Sequence, residues 1–142
     1  MFLGEYEYHI DQKGRISIPA RFRQEFQGGV VLSRGFDKCI IVHSLNEWRK
    51  ATEHVISSFV VPDRQRRLNR VIFSASFNQE LDRQGRVILP LILKEYAEIR
   101  DGVVIVGMNT HLEIWSKENW ELERTKLAES AWRVAEGIEL RR

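Results

Sequence analysis

The 142-residue sequence predicts an α+β fold built from two tandem, β-rich repeats with flanking helices. Three observations predict it. The segment HIDQKGRISIP at residues 9–19 returns as ELDRQGRVILP at residues 80–90, an offset of 71. Short alternating or apolar runs of strand length surround both copies. Each copy then closes on a serine followed by a helical apolar pattern.

The repeat aligns Asp11 with Asp82, Gly14 with Gly85, Arg15 with Arg86 and Pro19 with Pro90. Apolar residues match at Ile10/Leu81, Ile16/Val87 and Ile18/Leu89. The match continues through Gly-Val-Val at 29–31 and 102–104, then HSLNEW at 43–48 against WSKENW at 115–120, where Ser44 meets Ser116 and Trp48 meets Trp120. Small loop insertions move the offset between 71 and 73. The chain therefore divides into residues 1–76, a repeat ending in an arginine-rich linking helix, and 77–142, a repeat ending in an amphipathic helix.

Element by element, EYEYHI alternates polar and apolar residues as a half-buried strand does. D-Q-K-G and D-R-Q-G place Asp first and Gly fourth in a type I turn, where Asp bonds the following backbone and Gly tolerates positive φ. Residues 15–18 and 86–89 read as return strands, which puts each D-x-x-G-R at an exposed β-hairpin tip. Pro19 and Pro90 suit the first position of short helices. Residues 30–32 and 103–106, then 39–42 and 112–115, supply two more strands per repeat. Ser44-x-x-Glu47 reads as a capping box opening a helix that buries Leu45, Trp48 and Val55. Asp63 is the expected cap of a linking helix containing Arg64, Arg66, Arg67 and Arg70, whose charges read as a solvated face. In the last helix Trp120, Leu127, Ala131 and Val134 share one face, and Gly137 is its expected end.

Composition narrows the function. Hydrophobic residues make up 43% and charged residues 30%, as in ordinary soluble globular proteins. Cys39 is the only cysteine, so no internal disulfide can form; it reads as a small buried hydrophobe in a reducing compartment. The start of the chain lacks a signal-peptide pattern and no apolar run reaches membrane length, which predicts a cytoplasmic location with no membrane partner. The histidines at 9, 43, 54 and 111 are dispersed, and no metal-ligand, nucleophile-elbow or phosphate-loop motif occurs. We therefore expect no catalytic residue, metal, cofactor or small-molecule substrate. Of the tryptophans at 48, 115, 120 and 132, three lie at or beside the apolar face of an expected helix or strand, which favours core packing over base-stacking platforms. Net charge is only +2, split as +4 in residues 1–76 and −2 in 77–142, so any nucleic-acid surface has to be local.

The duplicated D-x-x-G-R is the candidate for that surface. Turn geometry requires the Asp and the Gly, but it does not require an arginine after the Gly twice. An arginine at the start of a return strand offers a planar fork for phosphate or a guanine edge. Lys13 and Arg83 add charge near the same tips. The competing reading is a surface ion pair across each turn, Asp11 with Arg15 and Asp82 with Arg86, worth a fraction of a kcal/mol.

Taken together, MFLGEYEYHIDQKGRISIPARFR and the later DRQGRVILP closely resemble the MraZ family, over essentially the whole chain. The resemblance implies a relative of the AbrB and MazE antitoxins, whose hairpins interleave between two copies. Here both copies would come from one chain, as a pseudo-dimeric barrel. It implies a ring-forming homo-oligomer, associated with the nucleoid, that binds double-stranded DNA at short direct repeats in the promoter of the division and cell-wall gene cluster. It assigns DNA contact to Arg15 and Arg86, with Lys13 and Arg83 beside them. Asp11, Gly14, Asp82 and Gly85 match the same motif as loop-shaping residues. The alternatives are an antitoxin-type protein-interaction module with secondary DNA binding, and a ring scaffold with no nucleic-acid role.

Overall fold

The computed structural model describes residues 1–57 and 61–139. In chain order the elements are β1 (Glu5–His9), β2 (Arg15–Ser17), a 3₁₀ helix (Ala20–Phe26), β3 (Val30–Arg34), β4 (Ile40–Ser44), α1 (Leu45–Ser57), α2 (Pro62–Ser74), β5 (Phe77–Gln79), β6 (Arg86–Ile88), α3 (Leu91–Tyr96), β7 (Gly102–Gly107), β8 (Leu112–Ser116) and α4 (Lys117–Glu139). They form an antiparallel six-stranded sheet of order β1-β7-β8-β4-β3-β5 and a two-stranded ribbon, β2-β6.

The repeats exchange strands. β1 of the first repeat pairs with β7 of the second, and β5 of the second pairs with β3 of the first. The two central pairings oppose equivalent residues: Ile16 faces Val87 across β2–β6, and Ile41 faces Glu113 across β4–β8. A two-fold axis relating the copies passes through both. One hydrophobic core results, containing Ile16, Ile18, Phe22, Phe26 and Leu32 from one repeat with Val87, Leu89, Leu93, Ile105 and Ile114 from the other. The alternation in EYEYHI is used as expected: Tyr6 and Tyr8 lean on this core while Glu5, Glu7 and His9 face water.

Several elements depart from the sequence reading. β1 and β2 are not a laddered hairpin. The turn after β1 is closed by Asp11 N–H donating to Arg15 O at 3.0 Å, and the chain then leaves the sheet to pair with the other repeat. Among the described residues no ladder joins β1 to β5, so the sheet does not close into a barrel. Pro19 and Pro90 are the capping residues before their helices, in extended backbone, because a residue preceding a helix is where proline's fixed φ and missing N–H cost nothing. Val61 caps α2, and Asp63 lies in its first turn, pairing with Arg66. Leu45, Trp48 and Val55 are half-buried.

α4 runs through Gly137 to Glu139, and only Trp120 of its apolar stripe is buried. Trp115 and Trp120 form a second cluster with Val104, Val106 and fully buried Cys39, whose thiol burial pushes up to about 12. Trp132 is exposed. No described helix is long and apolar enough to cross a membrane.

Candidate nucleic-acid interface

The two D-x-x-G-R segments fold alike. Asp11 Oδ1 accepts the backbone N–H groups of Lys13 at 2.9 Å and Arg15 at 2.8 Å, while its Oδ2 accepts Arg15 Nε at 2.7 Å. Asp82 does the same with Gln84 N–H and Arg86 N–H, both at 2.9 Å, and Arg86 Nε at 2.8 Å. Each turn is closed by its glycine N–H on the aspartate carbonyl, with φ of +75° at Gly14 and Gly85. The motif is thus a self-contained unit: a carboxylate to collect the amides, a residue able to take positive φ, and an arginine positioned by that carboxylate. The bonds to each carboxylate, led by the backbone N–H of Arg15 or Arg86, hold Asp11 and Asp82 below the usual aspartate range.

The ribbon brings the loops together. Ile18 N–H donates to Gly85 O and Leu89 N–H to Gly14 O, both at 2.9 Å, so each loop is tied to the other repeat's return strand. Arg86 Nη1 stands 3.7 Å from Asp11 Oδ2. Ile16 and Val87 point into the core at 1% exposure, which by the strand period of two turns Arg15, Ser17, Arg86 and Ile88 to the outer face.

The exposed tips are Gln12 and Lys13 on one loop and Asp82, Arg83 and Gln84 on the other. The arginines themselves do not project freely: the Arg15 and Arg86 side chains are 26% and 22% exposed, laid back on their own aspartates. The ion pair and the presentation of a guanidinium are therefore one arrangement. Nε is taken by the aspartate, and the two terminal amino groups of Arg15 have no protein partner among the described residues.

One contributor was not read from the sequence. Arg23, on the 3₁₀ helix, donates Nε to Ile18 O at 2.9 Å and lies against Gly85, where a Cβ would collide with its guanidinium. Its repeat equivalent is Lys94, and nothing comparable covers Gly14. Arg23 follows the first motif by eight residues in sequence, but that it crosses to the second loop depends on the strand exchange.

The chain matches the model of the family described as "MraZ protein, putative antitoxin-like" over residues 1–70 and again over 72–136. It is 44% identical over 140 residues to a protein of Dehalococcoides mccartyi, covering 98% of this chain and 99% of that one. It is 46% identical over 121 residues, 85% of each chain, to a protein of Roseiflexus castenholzii, and 39% identical over 138 residues, 97% of each, to one of Thermomicrobium roseum. All three relatives carry the name Transcriptional regulator MraZ. With the family model matched along nearly the whole chain and relatives 39% to 46% identical to it, the chain belongs to the MraZ family.

Proposed function

We propose that this chain is a sequence-specific, double-stranded-DNA-binding transcriptional regulator that works as a homo-oligomer, in the cytoplasm on the nucleoid. The names of its relatives support regulation of transcription. The observation that carries DNA contact is the β2–β6 ribbon, which gathers one arginine from each repeat, Arg15 and Arg86, on a single outer face between two basic tips. The major groove admits a two-stranded β-ribbon. In this reading Arg15 and Arg86 present their terminal amino groups to base edges or phosphates, Lys13 and Arg83 contact phosphates, and Asp11, Gly14, Asp82 and Gly85 shape the loops. The units 1–76 and 77–142 are then two halves of a swapped-hairpin reader of the AbrB and MazE kind.

Each ribbon strand is three residues long, so one chain reaches few base pairs. A base contact contributes roughly 1–3 kcal/mol of discrimination, too little alone for an operator. Several chains in a ring facing successive direct repeats would raise apparent affinity by roughly 10²–10⁴ through effective concentration. The resemblance to the family supplies the operator in this reading, a run of short direct repeats in the promoter of the division and cell-wall genes, and repeated weak contacts fit it.

The test is titration of wild type, Arg15→Ala and Arg86→Ala on duplexes carrying one to four copies of a repeat from that promoter. Affinity should climb steeply with repeat number, and both variants should bind at least tenfold more weakly while keeping their fold. Equal affinity across the series, or undiminished binding by both variants, overturns the proposal.

A further inference from the structure

The outer face of the β2–β6 ribbon is not symmetric. By register it carries two cross-strand pairs, Arg15 opposite Ile88 and Ser17 opposite Arg86. The two-fold sets the arginines on one diagonal, and on the other it matches an isoleucine with a serine. Ile88 is 55% exposed, whereas its neighbours Val87 and Leu89 are buried at 1% and 4%. Exposure alone decides nothing, since single apolar side chains are common on surfaces. The setting of Ile88 says more.

First, Ile88 abuts an arginine of the motif. The ribbon's bonds fall at Ile18–Gly85 and Leu89–Gly14, so by antiparallel alternation Arg15 and Ile88 form a non-hydrogen-bonded pair, the kind whose side chains stand closer. Such Cβ atoms are about 4.5–5.5 Å apart, against about 3.4 Å between successive bases of a strand, so the two side chains can reach neighbouring base pairs. Second, the Ile88 peptide is held from the far side. Its N–H donates to Gln79 Oε1 at 2.9 Å, and its carbonyl accepts Gln79 Nε2. One carboxamide thus occupies both polar groups that this register points off the ribbon, and a β-branched side chain on a fixed backbone has little rotamer freedom. Tyr8 stands at the repeat position of Gln79 and leans on the core instead.

In the major groove an arginine fork suits the guanine edge, and the one apolar group any base offers there is the C5 methyl of thymine. An isoleucine beside Arg15 therefore favours a thymine next to the guanine. A serine beside Arg86 can bond a polar edge of either kind and has no use for a methyl.

We infer that Ile88 is a specificity-determining residue that reads the methyl of a thymine adjacent to the base pair contacted by Arg15, while the Ser17 end of the ribbon reads no methyl. The inference rests on the DNA-binding reading above. It gives each chain a polarity on its site, because the two ends of a pseudo-two-fold ribbon read different base pairs.

The test uses the promoter duplex with its direct repeats, each thymine of the repeat replaced in turn by deoxyuridine, which deletes only the methyl. Binding is measured at one fixed salt concentration. At one position wild type should bind about fourfold more weakly per repeat, as expected for one apolar carbon left in water. Ile88→Ser copies the first repeat's own residue and should bind the thymine and deoxyuridine duplexes alike. Leu91→Ser is the control: Leu91 is 68% exposed but lies on α3, past Pro90, and its loss should leave the methyl preference intact. In wild type the Ile88 δ1 methyl should also show a nuclear Overhauser effect to the methyl of that thymine, so a serine variant that fails to fold does not end the experiment. A wild type that does not bind the duplex overturns the DNA reading and this inference with it. Tight binding that is indifferent to every deoxyuridine leaves the DNA reading standing and overturns the methyl contact. A preference that survives in Ile88→Ser, or disappears equally in Leu91→Ser, overturns the assignment to Ile88.

Discussion

Gly14 and Gly85 have the same φ of +75° but different neighbours, and that difference separates two otherwise equivalent loops. A methyl on Gly14 meets open space, so Gly14→Ala should cost only the left-handed strain, roughly 1–2 kcal/mol. Gly85→Ala carries the same strain and also displaces Arg23 from Ile18 O, about 1 kcal/mol more. Denaturant melts of both variants should rank Gly85→Ala the less stable. The aspartates give a second prediction. Their folded pKa values are depressed by the amides they accept, so the loop's ordering is present above the usual value of 3.8 and is lost as pH falls through the lower folded values. Amide protection of residues 13, 15, 84 and 86 should be flat from pH 7 to 5 and decline only below about 3.8.

At the scale of elements, the serine caps are half of what their sequence suggests. Ser44 Oγ accepts Glu47 N–H at 3.2 Å and Ser116 Oγ accepts Asn119 N–H at 3.0 Å. Glu47 does not complete the box; its carboxylate turns to Lys50 at 3.5 Å. Ser44→Ala should still cost α1 about 1 kcal/mol, measured by thermal melting. The two capped helices rest on different surfaces. α4 sets Trp120 in a cluster with Trp115 and Cys39, whereas α1 sets Trp48 against His43 with ring centroids 5.7 Å apart, and His43 in turn stands 5.0 Å from His111.

His43 is 8% exposed, its Nδ1 has no hydrogen-bond partner, and burial, then His111, lowers its pKa to about 4 against the pull of Glu47. Burial lowers His111 as well, against Glu113 and Glu47. A depressed histidine stabilises the fold fully above its unfolded value of 6.5 and loses that contribution as pH falls toward 4. Stability should therefore drop between pH 6.5 and 4. His43→Phe should flatten most of that slope, since Trp115 holds the equivalent position with an aromatic ring.

For the whole molecule, exchange of strands means that neither repeat owns its core. Residues 1–76 alone would lack β7 beside β1, β6 beside β2 and β5 beside β3. Separately produced fragments 1–76 and 77–142 should fail to fold as monomers, and should recover native circular dichroism as a one-to-one complex when mixed. Two fragments that melt cooperatively as separate monomers would contradict the shared core. Full-length chain should show a single unfolding transition, because buried residues of both repeats touch in one cluster.

By itself the sequence determined the local units: the duplicated turn with its Asp, Gly and Arg, the period-two strands, the serine-capped helices and the pairing of repeats around them. These are settled by interactions within a few residues, such as a carboxylate two and four positions from the amides it accepts, and short-range chemistry is written in the chain. Only the tertiary structure decided which strands pair, because β1 finds β7 and β2 finds β6 across more than sixty residues, and alternation shows a strand's faces but not its neighbours. For the same reason the placing of Arg15 and Arg86 on one ribbon, the cover of Arg23 over Gly85, and the exposure of Leu127 and Val134 beyond the sheet's edge were invisible in the chain: each is set by where separate segments end relative to one another, and helical periodicity reads the same whether or not a core lies beneath it.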